Sequence, residues 1–247
     1  MVYEARTYRN SYKKQELRHF RIVVEETDLD IAIKKEAYNL SLQELVREKV
    51  VSLRGIITDY IKKDPVFLTT LIPHKPQDGA PAPVVEMCQA AALAGVGPMA
   101  AVAGLFAEKI GMMLADYSTD VIVENGGDIW LKASNPLKSG VFAGKSPFTG
   151  RIALEIEPAH TPLGLCTSSA TVGHSLSFGQ ADAMIILSAS AVLADAVATA
   201  ACNIVQNSED LEKAVDFAMS IPGISGAAGI LDDKMAVKGQ IKLVPLP

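Results

Sequence analysis

The sequence has 247 residues, a net charge of −5, and 49% hydrophobic residues against 21% charged ones. A chain of this length and composition can bury a sizeable core, as one large domain or as two closely packed halves. The acidic balance leaves no basic face, which excludes nucleic acid as the expected partner.

Nothing in the sequence favours export or a membrane span. Residues 1–20 are polar and charged and lack the apolar core of a signal peptide. Residues 87–107 are uncharged and long enough to cross a bilayer, but Ala and Gly dominate them and Pro98 interrupts them. We read this stretch as two buried helical pieces and expect a cytoplasmic protein without a membrane span.

The N-terminal third predicts a hairpin, a helix and a short strand. In chain order these are residues 18–25 with 29–34, residues 42–63, and residues 66–72. Apolar and polar residues alternate in the hairpin, and apolar residues recur at helical spacing in the helix. Ser41 and Glu44 resemble a capping box at the start of that helix. Residues 66–72 are short, apolar and β-prone, and a Pro- and Gly-rich linker follows at residues 73–83.

Strands and helices alternate irregularly in the rest of the chain. An Ala-rich pair of helices ends near Asp116, followed by strands at 121–123, 140–144, 152–156 and 183–187, helices at 188–205 and 208–219, and strands at 228–231 and 235–243. Because no regular βαβ repeat is present, the order favours an α+β fold over a doubly wound α/β fold. We expect one domain over residues 1–247, with a hairpin-and-helix subregion at 1–75 and a core at 84–247.

The first candidate site segment is Asn125, Gly126, Gly127 and Asp128, at the end of a predicted strand. Two glycines tolerate positive φ and have no Cβ, so the backbone there can approach a ligand closely. Asn125 and Asp128 flank the opening with an amide and a carboxylate. The same four residues also fit an ordinary Asn-Gly hairpin turn.

The second segment is rich in hydroxyl groups and glycine. Its candidate ligand contacts are Thr167, Ser168, Ser169, Gly173 and Ser175. Such a stretch offers many uncharged hydrogen-bond donors, which suits phosphate or ribose oxygens. His174 lies in its middle and is the candidate proton carrier. A flexible polar loop is the alternative interpretation.

The third segment places Asp195 within an apolar predicted helix, with Thr199 four residues later on the same face. A carboxylate buried among apolar residues is costly unless it is paired or binds a metal. A carboxylate and a hydroxyl supply hard oxygen ligands, which fit Mg²⁺ or Ca²⁺ rather than zinc. The alternative is a carboxylate that caps or pairs inside the fold.

Together the three segments resemble the motifs of the ApbE-like superfamily, whose founding members are FAD:protein FMN transferases. More closely, the chain is similar to an uncharacterised conserved family within that superfamily. The family motif Asn-x-Gly-Gly-Asp is matched by residues 124–128, and Ala-Asp-Ala-x-Ala-Thr by residues 194–199. The resemblance implies an α+β fold, a FAD or related nucleotide ligand, and Mg²⁺ held by Asp195 and Thr199.

The chain departs from the transferases in two places. Met99 stands near the position of a family lysine, and the His-x-x-Asp-Pro-x-Thr-Gly segment is absent before the metal helix. Two hypotheses follow: a divergent Mg²⁺-dependent transferase acting on a flavin- or nucleotide-like diphosphate, or a non-catalytic flavin- or nucleotide-binding protein. In both, the partner is a small molecule. The apolar helices bury their faces either within one chain or across a homodimer.

Overall fold

The computed structural model describes residues 16–171 and 177–246. Eight strands form one antiparallel sheet in the order β1-β2-β3-β4-β7-β8-β9-β10, and three form a small antiparallel sheet in the order β11-β6-β5. The strands of the large sheet are β1 (Leu17–Val24), β2 (Thr27–Lys34), β3 (Val121–Asn125), β4 (Asp128–Lys132), β7 (Leu163–Ser168), β8 (Ala183–Ser188), β9 (Ile224–Leu231) and β10 (Lys234–Gly239). Those of the small sheet are β5 (Leu137–Gly140), β6 (Ile152–Ile156) and β11 (Leu243–Pro245).

The helices pack on one face of the large sheet. They are α1 (Leu40–Lys63), α2 (Val66–Thr69), α3 (Ala82–Ala94), α4 (Val102–Leu114), α5 (Ala191–Ile204) and α6 (Asp210–Ser220). The larger hydrophobic core lies between these helices and the sheet. A second core, which includes Leu154 and Ile156 of β6, fills the space between the opposite face and the small sheet. The molecule therefore has three layers, with α4 and α5 against the centre of the large sheet.

The N-terminal hairpin is continuous with the large sheet. Strands β1 and β2 pair along eight residues, and β2 pairs with β3 from Leu29 to Ile33. Residues Phe20 and Ile22 of β1 and Leu29 and Ile31 of β2 are buried in the larger core. The alternating pattern of the sequence thus gives a half-buried edge of the main sheet.

Two local predictions in the N-terminal third are wrong. Residues 66–72 were expected as a strand, but they form the helical turn α2 and then an irregular segment. Phe67 is fully buried and packs edge-on against Tyr60, with ring centroids 5.2 Å apart, so tertiary packing overrides the β propensity. The cap of α1 is Asn39, whose side chain accepts the Leu42 N–H at 2.8 Å, and not Ser41.

Two strand boundaries also differ from the prediction. The strand expected at residues 140–144 lies earlier in the chain, as β5, and it ends at Gly140. Residues 141–143 are not part of a strand. The strand expected at 235–243 is two strands in different sheets, β10 and β11. Gly239 has φ 76°, a conformation that favours glycine, and it ends β10 before the chain crosses to the small sheet.

Candidate functional site

The Asn-Gly-Gly-Asp segment joins β3 to β4 as a two-residue hairpin turn. Gly126 has φ 70° and Gly127 has φ 106°, and Asn125 faces Asp128 in the register. Both central residues need positive φ in such a turn, which accounts for two glycines. Glu124 Oε1 accepts the Gly127 N–H at 2.8 Å and holds the turn in place. The hairpin-turn interpretation is therefore correct as a description of the backbone.

This turn lies beside the first turn of α4. Asn125 Nδ2 donates to the carbonyl oxygen of Ala103 at 3.3 Å. A Cβ placed on Gly127 would lie 3.5 Å from the carbonyl oxygen of Thr167, so the turn also borders the end of β7. Because residues facing each other across a hairpin project to the same side, Asp128 shares the helix-covered face with Asn125.

Asp195 reaches the same α4 turn from α5. Its side chain is buried, and its Oδ2 accepts the Gly104 N–H at 2.8 Å. A Cβ on Gly104 would lie 2.2 Å from the carbonyl oxygen of Ala191 and 2.8 Å from Asp195 Cβ, so only glycine allows α4 and α5 to approach this closely. Residues 103–104 thus bring the first and third sequence segments together.

Asp128 and Asp195 act on each other electrostatically in a buried environment. Burial raises the pKa of the Asp195 carboxyl well above its ordinary range, and the neighbouring Asp128 raises it further. Hydrogen bonds from the backbone at Gly104 and Ala103 oppose this rise. The protein by itself therefore favours a protonated Asp195, and a cation at the pair would reverse that preference.

Cys166 completes the buried cluster; in the sequence it borders the hydroxyl-rich segment, which drew attention to it without assigning it a role. Its thiol donates to the carbonyl oxygen of Ala191 at 3.3 Å. Burial raises the pKa of the Cys166 thiol well above its ordinary value, and Asp128 and Asp195 raise it further. The thiolate is the nucleophilic form of cysteine, and a raised pKa disfavours it. Cys166 is therefore a packing and hydrogen-bonding residue of the cluster.

Glu108 is a residue that the sequence did not single out. Its Oε2 accepts hydrogen bonds from Ser190 Oγ at 3.0 Å and from the backbone N–H groups of Ala191 and Val192 at 2.6 and 3.3 Å. A carboxylate of α4 thus holds the N-terminus of α5, the helix that carries Asp195. The sequence points to Glu108 only weakly, as the first charged residue after the uncharged stretch at 87–107.

The hydroxyl-rich segment is divided between a strand and the residues that follow it. Thr167 and Ser168 belong to β7 and so point to opposite faces of the sheet, and Ser169 follows the strand. Ser168 is buried on the α5 side. Burial raises the pKa of the Cys202 thiol there, and the Ser177 and Ser168 side chains oppose that rise. Thr199 lies one turn beyond Asp195 on α5 and is half-buried.

The remaining predicted contacts, Gly173, His174 and Ser175, lie outside the described residues. The part of this segment that follows, from Ser177 to Gln180, is held by hydrogen bonds. Asn203 Oδ1 accepts the Phe178 N–H at 2.8 Å, and the Gln180 N–H donates to the Val205 carbonyl at 2.7 Å. The structure thus holds Ser177 to Gln180 against the C-terminal end of α5.

Within residues 16–171 and 177–246, no group of three or more His, Cys, Asp or Glu side chains is arranged to hold a metal ion. Over the same residues, no single helix is long and apolar enough to cross a membrane. The helical segments Ala82–Ala94 and Pro98–Leu114 reach that length only together, and they are bent by 103° at the break between them.

Comparison with known sequences gives a family match. A family model described as AbpE bacteria matches residues 9–236. The UPF0280 protein of Methanocella arvoryzae is 45% identical over 195 residues, which cover 78% of this chain and 79% of that relative. The UPF0280 protein of Methanocaldococcus jannaschii is 38% identical over 227 residues, which cover 90% of each chain.

Comparison with solved structures gives a fold match. The flavin transferase ApbE from Vibrio cholerae superposes with a TM-score of 0.55 at 14% identity, covering 91% of this chain and 97% of that one. The ApbE protein from Thermotoga maritima gives a TM-score of 0.55 at 14% identity, covering 90% and 96%. At this identity the likeness shows the fold, and it confirms the α+β class expected from the element order.

Proposed function

This chain belongs to the AbpE bacteria family, as the three motifs indicated, and from that premise we propose that it binds a flavin- or nucleotide-like diphosphate together with Mg²⁺. The observation that carries the proposal is the pair of buried carboxyl groups, Asp128 and Asp195, beside the first turn of α4. Burying two carboxyl groups that raise each other's electrostatic cost is unfavourable, and a divalent cation offsets that cost.

The donor set fits Mg²⁺ in its usual mode. Mg²⁺ is commonly bound by one or two carboxylates, with substrate phosphates and water completing the octahedron. Asp195 and Asp128 are the candidate carboxylates, and the Thr199 hydroxyl lies on the Asp195 face of α5. In the described residues, no three acidic, His or Cys side chains are arranged to hold a metal ion together, so a diphosphate ligand suits the remaining positions.

The distribution of basic residues also favours a diphosphate that binds together with a cation. Lys and Arg are absent from residues 76–108, 124–128 and 152–212, which include every segment of the candidate site. The positive charge facing a diphosphate would therefore come from backbone N–H groups and the cation, with no basic side chain from these segments. When bound there, Mg²⁺ would offset the charge of the diphosphate oxygens.

The chemistry beyond binding has two candidate forms. As a divergent metal-dependent transferase, the protein would use His174 as proton carrier, and Asn125, Gly126, Gly127, Asp128, Thr167, Ser168, Ser169, Gly173 and Ser175 as ligand contacts. As a non-catalytic binding protein it would retain the ligand without turnover. The second form is favoured by Met99 in place of the family lysine and by the missing His-x-x-Asp-Pro segment. Mass spectrometry of an acceptor protein after incubation with FAD distinguishes them, since covalent FMN appears only with a transferase.

Calorimetric titration tests the binding proposal. FAD, ADP and related diphosphates are titrated into the protein with Mg²⁺ and with a chelator. We expect Mg²⁺ to tighten binding of at least one ligand, and Asp195→Asn to abolish that gain. Asp120→Asn is the matched control, because Asp120 is a buried carboxylate bonded to Ser134 and outside the proposed site. A panel without any Mg²⁺-dependent binding by the wild-type protein overturns the proposal.

The homodimer and the cytoplasmic location remain predictions. Large apolar side chains are exposed just before the linker and on α3, among them Leu71, Ile72 and Leu93. Sedimentation of the purified protein decides whether two copies of the chain associate.

A further inference from the structure

Two side chains, Ser190 and Glu108, independently accept hydrogen bonds from the backbone N–H groups at the N-terminus of α5. The first backbone N–H groups of a helix have no partner within the helix and need one from elsewhere. Ser190 is the local cap, and its Oγ accepts the Leu193 N–H at 3.3 Å. Glu108 accepts the two preceding N–H groups, those of Ala191 and Val192. Together, Ser190 and Glu108 account for the N–H groups of residues 191–193.

The same α4 surface holds α5 again at Asp195. Gly104 lies four residues before Glu108, so both face α5 from adjacent turns of α4. Gly104 donates its N–H to Asp195 Oδ2, while Glu108 accepts from residues 190–192. In the first contact α4 supplies the donor, the Gly104 N–H, and in the second it supplies the acceptor, the Glu108 carboxylate. A shift of α5 along α4 would break both.

We propose that Glu108 is a positioning residue for Asp195. By fixing the start of α5 against α4, it sets the register in which the Asp195 carboxylate meets the Gly104 N–H and faces Asp128. The consequence for metal binding rests on the proposed function, whereas the consequence for the Asp195–Gly104 hydrogen bond does not. Capping alone does not account for the arrangement, because α5 has its own cap in Ser190.

Three variants separate positioning from helix stability. Glu108→Ala removes the acceptor, whereas Glu108→Gln keeps a side-chain oxygen that can accept the same N–H groups. Ser190→Ala removes the local cap but leaves the Glu108 bonds to Ala191 and Val192. Thermal unfolding of all three gives the loss of stability against which the other measurements are compared.

Two measurements are made on each variant. Amide hydrogen exchange by NMR follows the Gly104 N–H without any metal. Electron paramagnetic resonance follows Mn²⁺ binding in the presence of FAD or ADP. We expect Glu108→Ala to speed exchange at Gly104 and to weaken Mn²⁺ binding by about tenfold, as for other residues that orient a metal ligand. Glu108→Gln and Ser190→Ala should retain wild-type values in both.

The outcomes are distinguishable. Unchanged Gly104 exchange and Mn²⁺ affinity in Glu108→Ala overturn the inference while leaving the proposed function intact. Equal effects of Ser190→Ala and Glu108→Ala, at equal loss of stability, also overturn it, because Glu108 would then be a cap only. If the wild-type protein binds no Mn²⁺, the proposed function fails, and the Gly104 exchange still decides whether Glu108 positions Asp195.

Discussion

Asp195 combines a stability cost with the chemistry expected of a metal ligand. Its carboxyl is buried against α4, and Asp128, whose charge acts on it, is buried too. Residues held at such a cost are commonly functional, because a purely structural position would be served better by an uncharged side chain. The role of Asp195 can therefore be examined through stability as well as through binding.

Replacing Asp195 by Asn should stabilise the protein when no metal is present. The folded-state pKa of Asp195 is raised, so the wild-type protein loses stability as pH rises from the ordinary value of 3.8 through the folded pKa. Asn stays neutral, and its side-chain oxygen can still accept the Gly104 N–H. In chelator at pH 8 we expect a gain of about 1–3 kcal/mol in the free energy of unfolding.

The same comparison at pH 4 is the internal control, since the wild-type carboxyl is then largely protonated and the two proteins should unfold alike. Urea denaturation at both pH values measures the difference. A variant less stable than wild type at pH 8 would show that the Asp195 charge is already compensated by the protein.

At the scale of elements, the first turn of α4 is the meeting point of the candidate site. Its Ala103 carbonyl accepts from Asn125 on the β3–β4 turn, and its Gly104 N–H donates to Asp195 on α5. Three elements distant in sequence are thus fixed relative to one another by hydrogen bonds between side chains and the α4 backbone. Glycine at position 104 is what permits the approach.

Gly104→Ala should destabilise the protein by about 1–3 kcal/mol, because the new methyl group meets the Ala191 carbonyl and forces two packed helices apart. Gly55→Ala is the matched control, since Gly55 lies on the exposed face of α1 with no atom within 4 Å of an added Cβ. The control should stabilise the protein by about 0.5–1 kcal/mol. Urea midpoints measure both, and a stable Gly104→Ala protein would contradict the close packing.

A second set of contacts fixes the linker to the end of α1. Asp64 Oδ2 accepts from the Tyr60 hydroxyl at 3.0 Å and pairs with His74 Nε2 at 2.8 Å, and the Tyr60 oxygen accepts the Gln77 N–H at 2.9 Å. The hydrogen bond from His74 lowers the pKa of Asp64 below its ordinary value of 3.8. The Pro- and Gly-rich segment therefore follows a defined path along α1.

Asp64→Asn should destabilise the protein by about 1–3 kcal/mol near neutral pH, through loss of a buried charged acceptor. Because the folded-state pKa is lowered, the wild-type advantage is complete above 3.8 and disappears as pH falls through the lower folded value. Acid unfolding curves should thus converge at low pH. Curves that stay parallel would show that the Asp64 charge contributes nothing.

Across the whole molecule, the sequence predicted correctly those elements whose conformation depends on the pattern of nearby residues. The alternating hairpin and the periodic α1 are present, and Asp195 lies in α5 with the burial that its apolar surroundings indicated. Residues 66–72 failed because Phe67 packing, which is not local, decides their conformation. Strand β7 was missed because it is buried on both faces and lacks alternation. The contacts of Glu108 needed the pairing of α4 with α5, which no spacing reveals.

In the proposed site, a divalent cation and a diphosphate meet at Asp128 and Asp195. The most direct measurement is an anomalous difference map from a crystal grown with Mn²⁺ and FAD or ADP. We expect one strong peak about 2 Å from an Asp195 carboxylate oxygen, with a ligand phosphate in the same coordination shell. A bound nucleotide with no Mn²⁺ at Asp195, or a Mn²⁺ peak at a different set of side chains, would contradict it.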